Sequence, residues 1–238
     1  MTTRRALLTA PLLGLLPPAT IRAQPGAPRL FALLVGIDDY PFVNRLQGCV
    51  NDAHLIADAI RPLASELILL LDADASRERF LATWDALAEA ARPGDRLLLT
   101  FSGHGRREPE RVPGSKPDGQ DETAVFCRFR EQAPENGQRV FGGEIGARLE
   151  ATGQRGIVTW FLADSCYSAG LTRDVDPRAV RPIYRYLPAY DIENDVLAGL
   201  TPPDAPPGRQ PNLVFLAAGQ RNEPVPELLI EGRMHGAL

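Results

Sequence analysis

The chain has 238 residues, of which 44% are hydrophobic and 24% are charged. This is an ordinary composition for a globular protein, and the length suits one large α/β domain or two small ones. The formal net charge of −4 at pH 7 argues against nucleic acid as a partner. Three cysteines are too few for a disulfide framework.

The first 23 residues have the pattern of an export signal. The pair Arg4 and Arg5 precedes an apolar stretch that ends near Leu16, and the small residue Ala23 follows. Because a membrane span requires roughly 20 apolar residues, we interpret residues 1–23 as a twin-arginine-type signal peptide. The mature protein is then expected to be periplasmic or secreted, with no membrane span. An uncleaved anchor is the alternative.

Residues 24–238 alternate between strand and helix patterns. Apolar runs predict five main strands, at 30–37, 66–71, 96–102, 157–163 and 212–218. One helix is predicted to begin near Asn51 or Asp52, either of which could cap it, and a short one covers 144–151. Ser76 caps a third, whose apolar face is formed by Phe80, Trp84, Leu87, Ala88 and Ala91. This order predicts an α/β fold with a mostly parallel central sheet flanked by helices.

The remaining segments lack a clear period. Residues 106–121 are charged and rich in Pro and Gly, which predicts a surface loop, with a short strand at 123–129. Residues 171–211 are rich in proline and arginine and predict a long loop, and loops of that length are usually either functional or disordered. The chain ends at Leu238 without a plausible terminal element, so we expect a fragment of a longer protein.

Two predicted strands end in residues suited to nucleophilic catalysis. The third is followed by His104 and Gly105, and the fourth by Asp164, Ser165 and Cys166. Open α/β sheets build their sites at the carboxyl ends of strands, so a thiol and an imidazole could be presented side by side. Cys166 is then a candidate nucleophile and His104 its base, and the N–H groups of Gly105 and Cys166 could stabilise an oxyanion. A buried structural cysteine and a core histidine are the alternative.

Five motifs follow one another along the chain. They are Phe31-Ala-Leu-Leu-Val-Gly-Ile37, Gly48-Cys-Val-Asn-Asp-Ala53, Phe101-Ser-Gly-His-Gly105, Asp118-Gly-Gln-Asp-Glu122 and Asp164-Ser-Cys-Tyr-Ser168. Over about residues 30–238 the chain resembles the metacaspases, in particular bacterial ones, which are caspase-fold cysteine peptidases. The resemblance implies a caspase-like three-layer fold, in which 171–211 is the processing-type loop of a peptidase domain spanning 24–238.

The resemblance also implies residue roles. Cys166 would be the nucleophile and His104 the general base of a cysteine-type endopeptidase that cleaves proteins or peptides after Arg or Lys. The pocket for the basic side chain would be formed by Cys49, Asp52, Ser102 and Asp164. A buried carboxylate pair is a natural partner for a guanidinium.

The pocket residues also have purely structural interpretations. Asp52 could only cap its helix, and Asp164 could serve the turn geometry at a strand end. Cys49 could be a small packing residue.

Calcium is not expected to be required. Many metacaspases are activated by calcium through an aspartate pair close to the position of Glu144, and this chain has Gly142 and Gly143 there instead. We therefore expect activity without a cofactor and no metal site. Asp118, Asp121 and Glu122 could bind a hard cation, but solvated loop charges are the favoured interpretation.

The long loop suggests self-processing. An enzyme that cuts after arginine could cut itself in this loop, where the candidates are Arg173, Arg178, Arg181 and Arg185. An uncut, solvated basic loop is the equal alternative.

Two other function classes remain open from the sequence. The first is a non-catalytic caspase-like module that binds partners. The second is a flavodoxin-like ligand-binding domain, which ranks last because Asp38-Asp39-Tyr40-Pro41 stands where a Gly-rich phosphate loop would follow the first strand.

Overall fold

A computed structural model describes residues 26–114, 116–130, 135–165, 183–187, 195–197, 212–219 and 225–238. The predicted signal peptide, the candidate nucleophile Cys166 and most of the loop 171–211, with Arg173, Arg178 and Arg181, lie outside these residues.

The described part of the chain contains three α-helices and ten strands. The helices are α1 (Cys49–Ile60), α2 (Arg77–Ala90) and α3 (Gly142–Gln154). The strands are β1 (Leu30–Gly36), β2 (Glu66–Leu71), β3 (Arg96–Ser102), β4 (Gly105–Pro109), β5 (Gln120–Val125), β6 (Arg139–Phe141), β7 (Val158–Asp164), β8 (Leu213–Ala217), β9 (Leu228–Ile230) and β10 (Arg233–His235). None of these helices is long and apolar enough to cross a membrane.

Five strands form a parallel central sheet in the order β2-β1-β3-β7-β8. The chain moves outward from β1 to β2 and returns to the other side of β1 as β3, so the carboxyl ends of β1 and β3 border a topological switch point. The end of β7 lies beside that of β3, with Ser102 and Asp164 in register. The predicted fold class, an α/β fold with a mostly parallel sheet, is confirmed.

Alternate residues of β1 face two helical layers. Leu33 and Val35 belong to the larger core, together with apolar residues of α2 and α3, whereas Leu34 packs with Ala57 of α1 on the other face of the sheet. The five apolar residues predicted for the inner face of α2 are all buried. Ser76 caps that helix as predicted, since its side chain accepts the N–H of Arg79 at 3.1 Å.

The surface-loop prediction for residues 106–121 was wrong at both ends, where β4 and β5 lie, whereas the segment between Pro109 and Gln120 connects these two strands. Strands β4 and β5 pair antiparallel, and β5 pairs with β6, forming a separate three-stranded sheet. Two arginines of this sheet, Arg106 of β4 and Arg139 of β6, are buried, and Arg139 Nε donates to Glu108 Oε1 at 2.7 Å. A charged side chain in this sheet is therefore not necessarily exposed to solvent, because Arg106 and Arg139 are each paired with the Glu108 carboxylate.

The capping prediction for α1 was also wrong. The helix begins after Gly48, whose position carries no capping side chain. Asp38, which follows β1, accepts the N–H groups of Cys49 at 2.8 Å and Val50 at 3.2 Å. The free N–H groups of the first turn are thus satisfied from another segment, and Asp52 has different partners.

Asp95 joins the amino ends of β1 and β3. Its carboxylate accepts hydrogen bonds from the backbone N–H, Nε and Nη2 of Arg29 at 2.8, 3.0 and 2.7 Å, and from the N–H of Arg92 at 2.9 Å. Burial by itself raises the pKa of Asp95, but these hydrogen bonds and the charge of Arg29 outweigh it and lower that pKa.

We expect Asp95→Asn to lower the free energy of unfolding at pH 7 by about 2 kcal/mol, since hydrogen bonds to a charged group contribute roughly 1.5–3 kcal/mol. Because the folded pKa is depressed, this contribution is present above the ordinary aspartate pKa and is lost as the pH falls through the folded value. Urea unfolding of wild type and variant at pH 7 and pH 3 measures it. Asp58→Asn, an exposed position on α1, is the control, and equal effects at the two positions would contradict the assignment.

Candidate active site

The predicted pocket residues meet at the carboxyl edge of the central sheet. Ser102 and Asp164 are buried at the ends of β3 and β7. Cys49 and Asp52 are buried in the first turn of α1, which follows β1. The topology therefore gathers segments that are far apart in sequence.

His104 is held in one orientation by two neighbouring groups. Its backbone N–H donates to Tyr40 Oη at 3.0 Å, and the Tyr40 hydroxyl donates to the carbonyl of Val125 at 2.9 Å. The His104 Nε2 lies 2.7 Å from the carbonyl oxygen of Asn44. Because a carbonyl can only accept, Nε2 carries the proton. Nδ1 is then the basic nitrogen, and it is buried without a hydrogen-bond partner among the described residues.

The surroundings of His104 keep its ring neutral. Burial, together with the positive charge of Arg185, lowers the pKa of His104 to about 4, although the carbonyl groups of Asn44 and Arg185 act in the opposite direction. At neutral pH the imidazole is therefore in the form that can accept a proton.

The guanidinium of Arg185 occupies the acidic pocket. Its Nη2 lies 2.7 Å from Asp52 Oδ2, and its Nη1 lies 3.1 Å from Asp164 Oδ2. Nη1 also donates to the carbonyl oxygen of Asp164 at 3.2 Å. The Arg185 side chain has no exposed surface. The two carboxylates predicted to form the base of the pocket thus hold a basic side chain of the same chain.

A third carboxylate, Glu227, completes the pocket and was not predicted. Its Oε1 accepts the N–H of Gly48 at 2.8 Å and lies 3.4 Å from Arg185 Nη2, while its Oε2 accepts the N–H of Gln47 at 3.0 Å. Glu227 precedes β9, far along the chain from α1. No motif pointed to it, because only the tertiary fold brings the two segments together.

The described pocket places three carboxyl groups around one guanidinium. Burial raises the pKa of both Asp164 and Glu227, and the charge of Arg185 acts against that shift. His235 Nδ1 lies 2.9 Å from Asp52 Oδ1. Three carboxylates around one guanidinium give a site that selects a cation.

The backbone around Gly236 closes the pocket on one side. The N–H of Gly236 donates to Asp52 Oδ2 at 3.0 Å, and the N–H of Leu238 donates to Asp164 Oδ2 at 3.3 Å. A Cβ atom at Gly236 would collide with the Asp164 carboxylate and the Arg185 guanidinium. Glycine therefore permits the close approach of this backbone to the charged groups.

Neither described cysteine is suited to be the nucleophile. Cys49 is buried with Sγ at 4.0 Å from Glu227 Oε1, and burial raises its pKa well above the ordinary value. Burial also raises the pKa of Cys127, whose thiol donates to the carbonyl of Asp39 at 3.5 Å. Both side chains are therefore protonated thiols, which are poor nucleophiles.

Among the residues that the structure describes, two groups of metal-ligand residue types call for comment. Single ligand atoms of Asp38, Cys49 and Glu227 lie within 4.8 Å of one another, but both carboxylates already accept backbone N–H groups, so we assign no metal to them. Asp118 pairs with Arg107, and the buried Asp121 accepts the N–H of Arg111 at 3.0 Å. Asp121 is thus an internal acceptor rather than a solvated loop charge.

The depressed pKa of His104 should appear in the pH dependence of stability. Since the folded pKa is about 4 against an ordinary 6.5, the unfolded chain takes up a proton first. The contribution of His104 to the free energy of unfolding is therefore present above pH 6.5 and is lost as the pH falls toward 4, by about 3 kcal/mol in total. We expect His104→Gln to flatten the rise in unfolding free energy between pH 4 and 6.5, measured by urea unfolding. The control is His54→Gln, at an exposed position on α1. If the unfolding free energy of His104→Gln rises with pH as steeply as that of wild type, the prediction is wrong.

Comparison with known proteins places the chain among peptidases. A family model described as the metacaspase, peptidase C14 domain matches residues 31–174. Metacaspase-1 of Saccharomyces cerevisiae (strain YJM789) is 30% identical over 147 residues, which cover 58% of this chain and 33% of that protein. Metacaspase-8 of Arabidopsis thaliana is 28% identical over 158 residues, which cover 60% and 38%. The chain thus matches only 33% to 38% of the length of these relatives.

The fold also has a counterpart among solved structures. The crystal structure of protein GSU0716 from Geobacter sulfurreducens matches with a TM-score of 0.67 at 21% sequence identity, covering 88% of this chain and 78% of that chain. That likeness concerns the fold alone. The family model, by contrast, covers more than half of the sequence, including the β3 and β7 ends that form the site. The chain therefore belongs to the metacaspase family of C14 peptidases.

Proposed function

We propose that the chain is the catalytic domain of a cysteine endopeptidase that hydrolyses peptide bonds after Arg or Lys. Membership of the metacaspase family supports cysteine peptidase chemistry. The observation that carries the proposed specificity is the guanidinium of Arg185, held by Asp52, Asp164 and Glu227. A pocket that accommodates this group offers an incoming arginine the same charge-assisted hydrogen bonds.

The proposed reaction uses Cys166 as nucleophile and His104 as base. Nδ1 of His104 takes the thiol proton, and the thiolate attacks the carbonyl carbon that follows the basic side chain. The N–H groups of Gly105 and Cys166 are the proposed donors to the oxyanion, an interaction worth roughly 3–4 kcal/mol for one good donor. His104 then returns the proton to the leaving amine, and water releases the acyl group from Cys166.

The site is proposed to act on protein or peptide substrates outside the cytoplasm. The location rests on residues 1–23, whose arginine pair and apolar stretch have the pattern of a twin-arginine signal. Self-processing within the loop 171–211 belongs to the same proposal, because this loop carries several arginines just beyond Cys166.

We expect the protein to hydrolyse a fluorogenic peptide that ends in arginine, and Cys166→Ala to abolish that hydrolysis. Asp52→Asn and Asp164→Asn should each lower kcat/KM for the arginine peptide by about 100-fold, equivalent to nearly 3 kcal/mol, since each removes a charged partner of the guanidinium. Steady-state kinetics with the exposed Asp58→Asn as matched control measures the effect. A similar loss in Asp58→Asn, or equal hydrolysis after aspartate, would count against the pocket assignment.

Calcium should not be required. The segment that begins α3 contains Gly142 and Gly143 where a calcium-binding aspartate pair would stand, and we propose no other cofactor. Hydrolysis of the arginine peptide is expected to be the same with EDTA as with added calcium. A rate that falls at least tenfold with EDTA and returns with calcium would show that a cation is needed.

A further inference from the structure

The hydrogen-bond ladder between β4 and β5 is interrupted at its end next to the central sheet. Gly105 stands opposite Ala124 in this antiparallel pair, so the same register places His104 opposite Val125. The N–H of Val125 donates to the carbonyl of His104 at 2.9 Å. Two residues at such a hydrogen-bonded position normally exchange both of their N–H···O bonds, so a second bond is expected from the N–H of His104 to the carbonyl of Val125.

The hydroxyl group of Tyr40 takes the place of this second bond. The N–H of His104 donates to Tyr40 Oη at 3.0 Å, and the hydroxyl donates to the carbonyl of Val125 at 2.9 Å. One direct contact of about 2.9 Å is thereby replaced by two contacts in series. The hydroxyl therefore separates the two backbones at His104, where the chain passes from β3 of the central sheet into β4.

Tyr40 is itself fixed by its surroundings. Its N–H donates to the carbonyl of Asp38 at 3.1 Å, and the same carbonyl accepts the N–H of Leu46 at 3.0 Å. Tyr40 is 1% exposed, and burial raises the pKa of its hydroxyl well above the ordinary value, so the hydroxyl keeps the proton that it donates. A Cβ atom at Gly103 would lie 2.7 Å from Tyr40 Oη, so the glycine at this position permits the close approach.

The segment that carries Tyr40 contacts the backbone and the side chain of His104 separately. The ring of Tyr40 packs on the imidazole with 4.7 Å between the ring centroids, and the carbonyl oxygen of Asn44 lies 2.7 Å from Nε2. Only the Tyr40 hydroxyl reaches the backbone N–H of His104 in this set of contacts. Gly105, the proposed oxyanion donor, directly follows, so the placement of this backbone also affects its N–H.

We propose that Tyr40 is a positioning residue for the peptidase reaction. Its hydroxyl lies between the backbones of His104 and Val125, and this bridge sets the position of the imidazole. The inference rests on the proposed function, in which His104 is the base. Without the hydroxyl, the N–H of His104 would turn to the carbonyl of Val125, because a buried N–H without a partner is unfavourable. The ladder would gain one pair, and the imidazole would move away from the carbonyl of Asn44.

The first test is steady-state hydrolysis of the arginine peptide by the purified full chain carrying Tyr40→Phe, which removes the bridge and keeps the ring. We expect kcat to fall by about 100-fold, since a displacement of about 1 Å can cost that much. KM should stay as in wild type, because the hydrogen bonds of Tyr40 go to Asp38, His104 and Val125 rather than to the pocket carboxylates. A Tyr40→Phe enzyme with the wild-type kcat would overturn the inference.

Thr100→Val is the matched control, since it also removes one buried hydroxyl close to His104 in the chain. Thr100 lies on β3 and is 2% exposed, and its hydroxyl has no hydrogen-bond partner within the part of the chain that the structure describes. Its kcat is expected to equal that of wild type. An equal loss of kcat in Thr100→Val and Tyr40→Phe would overturn the role of the bridge.

A spectroscopic measurement reports the position of the imidazole without substrate. The Nε2 proton of His104, which faces the carbonyl oxygen of Asn44, is expected to give a slowly exchanging downfield NMR signal, assigned by its loss in His104→Gln. The signal should persist in Thr100→Val and be lost in Tyr40→Phe. An unshifted signal in Tyr40→Phe would mean that the imidazole has not moved, which would contradict the proposed role.

A second substitution keeps the inference testable if Tyr40→Phe does not fold. Tyr40→4-aminophenylalanine keeps the ring and an N–H donor, but its amine is a weaker hydrogen-bond acceptor than a hydroxyl. We expect a lower kcat than wild type with KM unchanged. A wild-type kcat in this protein would overturn the inference.

Failure of the inference can be told apart from failure of the proposed function. Wild type that hydrolyses the arginine peptide, with Tyr40→Phe equal to it in kcat and in the Nε2 proton signal, would overturn the inference and leave the proposed function standing. Folded wild type that does not hydrolyse the peptide would overturn the proposed function and, with it, the role of Tyr40 in catalysis.

Discussion

The buried guanidinium of Arg185 is the interaction on which the site depends. A buried charge is tolerated only when it is paired, and removing one partner of such a pair typically costs about 3–5 kcal/mol. Here the partners come from α1, from the end of β7 and from the segment before β9, through Asp52, Asp164 and Glu227. Satisfying one charge therefore fixes three distant parts of the chain relative to one another, and it does so at the edge of the sheet where the imidazole lies.

The imidazole and the pocket are neighbours because the central sheet is parallel. Parallel pairing places the carboxyl ends of β1, β3 and β7 at one edge. A different functional side chain stands at each end: Asp38 after β1, His104 after β3 and Asp164 at the end of β7. Tyr40 and Asn44, from the segment after β1, orient His104. Asp38, from the same segment, accepts the first N–H groups of α1. The segment between β1 and α1 thus orients His104 and also stabilises the beginning of the helix that carries Asp52.

The second sheet holds another described part of the long loop. Asp195 accepts hydrogen bonds from Arg111 at 2.6 Å and from the buried Arg139 at 2.7 Å. The loop is consequently fixed by ionic contacts at two described places, with an arginine in the acidic pocket and an aspartate between two arginines.

The sequence alone determined the α/β class, the alternation of the main strands and helices along the chain, and the inner face of α2, because apolar periodicity carries that information. The resemblance to metacaspases, in turn, directed attention to His104, Asp52 and Asp164. It did not determine the strands β4 and β5, since their buried charges look solvated until their ionic partners are known. The tertiary structure alone decided three further features. They are the role of Glu227 in the pocket, the capping of α1 by Asp38, and the placement of Arg185 in the pocket. Each of these features depends on contacts between segments far apart in the chain. A local sequence pattern does not indicate which distant charged residue will pair with a buried group.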